Sequence, residues 1–110
     1  MDERERRIGL NESVFRQVNE RVEDLNRAFS QVTETMDVVC ECGDASCIDQ
    51  IIVSLPDYER VRSDPTLFFI VPGHQVPDVE TVVEEQAGFA VVRKDEGDEA
   101  ELARETDPRS

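Results

Sequence analysis

VVCECGDASCIDQIIVSL, residues 38–55, decides how the chain folds. Val38 to Cys42 reads as a strand. Gly43-Asp44-Ala45-Ser46 then supplies turn chemistry, because glycine relaxes the backbone and short polar side chains bond to it locally. From Cys47 to Leu55 the β-branched residues Ile51, Ile52 and Val53 give a second strand-forming run. The stretch therefore predicts two strands joined by a turn that carries cysteine.

Working outward, Ser54-Leu55-Pro56-Asp57 has the spacing of a capping box, and Pro56 is tolerated in a first turn whose N–H groups have no intrahelical partner. A short helix is expected through about Arg62, ended by Asp64-Pro65. Leu67-Phe68-Phe69-Ile70-Val71 is the most apolar run and too short for a buried helix, so it is expected to be the central strand. Pro72-Gly73-His74 breaks it. Val79–Glu85 and Phe89–Lys94, separated by Gln86-Ala87-Gly88, are expected to close the fold as a hairpin, with a short helix capped by Asp78 as the competing reading of the first. Asp95 to Ser110 holds seven acidic residues, two arginines and a single larger hydrophobe, Leu102. That composition predicts a disordered tail, since it buries too little apolar surface to offset ordering entropy. A docking helix around Ala100–Arg104 is the alternative.

Upstream, Met1 to Gly9 reads as a polar lead-in. Asn11 is the expected helix cap, with Leu10 and Phe15 at the positions of a hydrophobic staple. Val14, Val18, Val22, Leu25, Phe29, Val32 and Met36 then recur every three or four residues and form one apolar stripe of a long helix, with Thr33 and Thr35 leaving its end open. Glu12 with Arg16, and Glu23 with Arg27, are spaced as i,i+4 ion pairs. The stripe is read first as the face that lies on the domain's own sheet. The second reading is pairing with another copy, which leaves the chain a monomer or a homodimer through this helix. The spacing is nearer 3.6 than a strict heptad and argues against an extended coiled coil. The fold class is thus α+β: a long N-terminal helix on a small, mostly antiparallel sheet, with a short second helix and a stapled turn. Residues 1–94 are expected to form one domain, with 1–9 as lead-in and 95–110 as tail.

The 110 residues carry 26 acidic against 12 basic side chains, for a net charge of −14. Such a surface repels phosphate backbones and lipid headgroups, so direct binding to nucleic acid or membrane is not expected. A basic protein partner is the natural complement. No run approaches the ~20 apolar residues of a membrane span. The terminus MDERERR has no apolar centre and does not read as a secretory signal. An odd number of cysteines, two of them one residue apart, does not suit a disulfide framework, and the cytoplasm is the expected compartment.

Cys40, Cys42, Cys47 and His74 are the whole supply of cysteine and histidine. All four sit at expected strand ends or turns. Residues i and i+2 of a strand face the same way, so Cys40 and Cys42 can address one ion, and the turn can return Cys47 to it. Cys3His is a recognised tetrahedral zinc set, and one structural zinc per chain is expected. Asp44 and Asp49 are the alternative fourth ligands if His74 does not reach. Three buried, inert cysteines are the bland alternative, but the interleaved Glu41, Asp44 and Asp49 make this a poor core segment. The chain has no CxxC pair, no phosphate-binding glycine loop and only one histidine, so no enzyme activity is expected.

CECGDASC, followed by LPDYERVRSDPTLFFIVPGH and a valine-rich terminal hairpin, resembles an uncharacterised family of small actinobacterial proteins with a CxCxxxxC…PGH pattern. The resemblance covers about Asn11 to Lys94, and eleven arginines against one lysine agree with a GC-rich genome. It implies one unit over that span and implies no activity. The expected function is a zinc-stabilised interaction module. A thiol or zinc redox sensor and an acidic mimic of nucleic acid that fills a basic groove are the rivals.

Overall fold

Asp2 and Glu5 start the first helix. In the computed structural model, which describes residues 1–29 and 35–109, Asp2 Oδ1 accepts from the Glu5 amide at 2.8 Å and Glu5 Oε1 accepts from the Asp2 amide at 3.1 Å. This reciprocal capping box begins α1 (Glu3–Phe29) well before the cap expected at Asn11. The supposed lead-in is helical, and the Leu10–Phe15 staple has no helix start to act on. The Phe29 side chain, Val32 and Thr33 lie outside the described residues, and Met36, expected on the helical stripe, belongs to a strand instead, as does Thr35.

The strand–turn–strand reading holds, although the first strand ends before Cys40 and the second begins only after Asp49. β1 (Thr35–Val39) and β2 (Gln50–Ser54) pair antiparallel, with Val38 opposite Ile51 and Met36 opposite Val53. All four of those side chains are buried. Ser54 caps α2 (Leu55–Arg62), its hydroxyl accepting from the Asp57 amide, and Pro56 sits in the first turn as expected. β3 (Leu67–Ile70), β4 (Glu80–Gln86) and β5 (Phe89–Lys94) form a second antiparallel sheet in the order β3-β5-β4. The β4–β5 hairpin turns at Ala87-Gly88. The chain is thus α+β, with two small sheets.

β3 was expected at the centre of its sheet, but it is an edge, and β5 occupies the centre with five of its six residues buried. Pro72 ends β3 after four residues, whereas β5 alternates little and suits burial on both faces. The outer edge of β3 is not left bare. The Glu41 amide donates to Phe69 O at 2.7 Å and the Phe69 amide donates to Glu41 Oε1 at 3.0 Å, which joins the two sheets. Around this junction Tyr58 stacks on Phe69 at 5.8 Å, and Phe89 meets Phe69 edge-on at 5.5 Å.

α1 packs on this core with its polar face. Glu12, Ser13, Arg16, Asn19 and Glu23 are buried, whereas Val14, Val18 and Leu25 are 57%, 42% and 51% exposed. The apolar stripe therefore does not lie on the sheet. Specific partners explain the inversion. Asn19 both accepts from Val39 N and donates to Val39 O, each at 2.8 Å, and so extends the edge of β1 like a short strand. Arg16 lies over the Phe68 ring at 4.6 Å. Glu12 does not pair with Arg16 but accepts from Lys94 Nζ at 2.6 Å, and Lys94 also bonds Glu80 at 3.1 Å. Burial, with Glu80 alongside, pushes the Glu12 carboxyl well above its usual range. The Glu23–Arg27 pair does form, at 3.3 Å.

The region expected to be a disordered tail instead forms α3 (Asp98–Glu105), docked with Ala100, Leu102 and Ala103 buried. Gly9 of α1 allows the approach, since a Cβ there would lie 2.7 Å from Leu102 Cδ2. Arg16 donates to Ala103 O at 2.9 Å and so satisfies a carbonyl at the end of α3. Beyond α3, Arg109 bonds Glu20 and Glu59, each at 2.7 Å, and Glu23 at 3.1 Å. Composition counted the acidic residues of the tail but not Gly9, Arg16 and the glutamates that receive it.

Burial and the adjacent Glu59 push Glu23 up to about 7, while the Arg109 hydrogen bond holds Glu59 down at about 2. Folded Glu23 keeps a proton that the unfolded chain releases near 4.5. Its contribution is complete below that value and is lost as pH rises through about 7. Glu23→Gln removes this titration. The melting temperature of the variant should therefore gain on wild type between about pH 5 and about pH 8, and a constant difference across that range would contradict the assignment.

Candidate metal centre

Cys40 and Cys42 follow β1 directly, and the backbone continues the β1–β2 ladder through Cys40 N to Asp49 O at 2.9 Å. The turn after them is closed twice. Cys47 N donates to Asp44 O at 3.0 Å, and Asp44 Oδ1 accepts from the Ser46 amide at 2.9 Å and the Ser46 hydroxyl at 2.7 Å. Asn11, expected as a helix cap, instead reaches across from α1 and donates to Gly43 O at 3.0 Å. His74 arrives from the end of β3. Its amide donates to Val71 O at 3.0 Å across Pro72-Gly73, and Gly73 has φ +97°. Proline then glycine are the residues that a type II turn needs at its two central positions.

These turns bring Cys40, Cys42, Cys47 and His74 together, with the four ligand atoms within 4.8 Å of one another. They could hold a metal ion. His74 Nδ1 faces the sulfurs, 3.5 Å from Cys40 Sγ and 3.8 Å from Cys47 Sγ. Zinc–sulfur bonds near 2.3 Å and zinc–nitrogen bonds near 2.0–2.1 Å, at tetrahedral angles, put sulfur and nitrogen about 3.6 Å apart. Both separations are close to that edge length. Cys40 and Cys42 are buried, while Cys47 and His74 are half-buried. A shallow cavity lined by Cys42, Gly43, Asp44, His74 and Val76 opens beside the cluster.

The two alternative ligands do not join the set. The Asp44 carboxylate is turned into its own loop, onto Ser46. Asp49 Oδ2 lies 3.6 Å from His74 Nε2, behind the ring. A carboxylate there orients a metal-bound imidazole and raises its basicity. Val71 N donates to Cys40 Sγ at 3.2 Å, a bond that favours the thiolate. Burial works the other way, pushing the Cys40 and Cys42 thiols up, and Cys47 adds to the rise of both. Deprotonating thiols this close together would require a compensating cation.

Glu41 was read as one of the acidic residues that make the segment a poor core. It is fully buried. It accepts from Arg62 Nη2 and, at 2.7 Å, from Asn19 Nδ2, in addition to the Phe69 amide. Strand alternation could have found it, because the residue between two ligands on one side must point to the other. Asn11 and the Val71 amide had no comparable signal.

Comparison with protein-family models, with curated proteins and with solved structures returns no match. The likeness to a small actinobacterial family rests on the quoted sequence pattern alone. Among the described residues no helix is long and apolar enough to cross a membrane.

Asp49→Asn should retain one ion per chain but weaken metal affinity by about tenfold, the lower end of what such supporting groups contribute. Competition against a chromophoric zinc chelator measures this. Undiminished affinity would mean that the carboxylate does not support the imidazole.

Proposed function

We propose that this protein is a zinc-stabilised interaction module without enzymatic activity. One zinc ion is bound per chain by Cys40, Cys42, Cys47 and His74. The observation that carries this reading is the spacing of His74 Nδ1 from two sulfurs, 3.5 and 3.8 Å, beside a third cysteine. Thiolates and an imidazole suit zinc better than calcium or magnesium, which take oxygen ligands. Four protein donors fill a tetrahedral shell and leave no position for a substrate or an activated water, so the ion is structural. Its binding energy becomes folding energy where the unfolded chain has no site, and structural zinc supplies about 10 kcal/mol or more.

The zinc fixes the loop 43–47 against α1 and the end of β3. The fixed surface is acidic, in keeping with the net charge of −14, and a basic protein is its partner. That association weakens as salt rises, because exposed charge is screened within ~10 Å at 0.1 M salt. Nucleic acid and anionic membrane are not bound directly.

Elemental analysis of protein purified without a histidine tag should find one zinc per chain. Chelation should lower the melting temperature by well over about 10 °C, given the size of the binding energy. Cys47→Ser should lower zinc content and melting temperature together. Metal-free protein that melts at the same temperature as zinc-loaded protein would overturn the reading.

A further inference from the structure

The apolar stripe of α1 faces away from the domain. Val14, Val18, Val22 and Leu25 line one shallow groove together with Gln17 and Arg21. At 100° per residue these four apolar positions span about 80° of the helix, and their centre lies roughly 130° from the centre of the buried arc of Glu12, Arg16, Asn19 and Glu23. Leu10, 40% exposed, extends the strip toward the N-terminus.

We propose that this strip is the interface of a homodimer in which α1 helices of two copies pack antiparallel. The first support is charge. In a chain with 26 acidic residues, none of Leu10, Val14, Gln17, Val18, Arg21, Val22 and Leu25 is acidic, so two copies meet here without opposing carboxylates. A basic partner is drawn to the acidic surface instead and finds only Arg21 on this one. The second support is self-complementarity, which a two-fold interface requires of a single patch. Antiparallel packing about Val18 sets Val14 of one copy against Val22 of the other and Val18 against itself. Parallel packing would set Arg21 against Arg21. The third is area. From Leu10 to Leu25 the strip is about 23 Å long on a helix about 10 Å wide. Interdigitated contact over that length buries on the order of 1,000 Å² in total, the low end for a specific interface. The sheets and α2 lie on the opposite side of α1, so among the described residues nothing obstructs a second helix. The dimer is therefore weak, with a dissociation constant in the micromolar range (about 1–100 µM).

Salt has the opposite effect here from its effect on a basic partner. Each copy carries a charge of −14, so screening relieves the repulsion between copies and strengthens the dimer. Sedimentation of the zinc-loaded full chain, from about 1 to about 200 µM, reads this directly. Wild type should pass from the 12.5 kDa monomer to twice that mass, with the midpoint moving to lower concentration as salt is raised. Val18→Glu should weaken association at least about tenfold, the effect of two carboxylates placed on the two-fold axis. At concentrations where wild type is monomeric, its far-UV spectrum and melting temperature should match those of wild type, because residue 18 points to solvent in the monomer. Wild type that remains a monomer throughout, or Val18→Glu that associates as well as wild type, would overturn the proposal.

Discussion

Glu41 accepts hydrogen bonds from Arg62 on α2, from Asn19 on α1 and from the backbone of Phe69 on β3, all out of contact with water. One carboxylate thereby ties three elements to the segment that carries the cysteines. Arg62 is held in turn between this carboxylate and the Tyr58 ring, with its guanidinium 4.8 Å from the ring centre. Breaking a buried ion pair by removing one partner typically costs about 3–5 kcal/mol, because the remaining charge stays buried without compensation. For a domain of this size that is a large part of total stability. This carboxylate therefore helps to hold the sheets, α1 and α2 in their relative positions.

Glu41 also lies between Cys40 and Cys42. The alternation that turns its side chain to one side of the segment turns both sulfurs to the other, toward Cys47 and His74. An ion held by the cysteines on one side and hydrogen bonds made by Glu41 on the other constrain the same three residues. Val71 strengthens the connection, since its amide bonds Cys40 Sγ two residues beyond Phe69. The cysteine–histidine cluster and the polar core are therefore two faces of one short segment, and α1 is fastened to both, through Asn19 to Glu41 and through Asn11 to the loop carbonyl of Gly43. A helix fastened by polar groups has no need to bury its valines, which explains why they remain outside.

Residues 38–55 were legible because strand pattern, turn chemistry and cysteine spacing all pointed the same way, and the Ser54 cap and the β4–β5 hairpin were legible for the same reason. The candidate metal residues were legible by elimination, as every cysteine and histidine of the chain had to converge on two turns. What the sequence hid was long-range polar satisfaction. Hydrophobic periodicity orients a helix correctly only when its polar face has no better partner than water. For α1 the partners are Lys94, Val39, Glu41 and the end of α3, between about 20 and 90 residues away in sequence. The acidic tail misled in the same way, because its anchors outside the tail, Gly9 and Arg16 and the glutamates 20, 23 and 59 that receive Arg109, are invisible to the tail's composition. The centre of the second sheet was misjudged because apolar richness marked β3, while pairing on both edges belongs to β5.

If the cysteine segment is one mechanical unit, the amide of Phe69 should register the metal although it touches no ligand. Its exchange with solvent is blocked by the bond to Glu41 Oε1, and that bond depends on the position of Glu41 between Cys40 and Cys42. Hydrogen exchange at this amide, compared between zinc-loaded protein and protein stripped by chelation, tests the coupling most directly. Protection should fall by at least about tenfold when zinc is removed. Unchanged protection at Phe69 in protein verified to be metal-free would contradict the account.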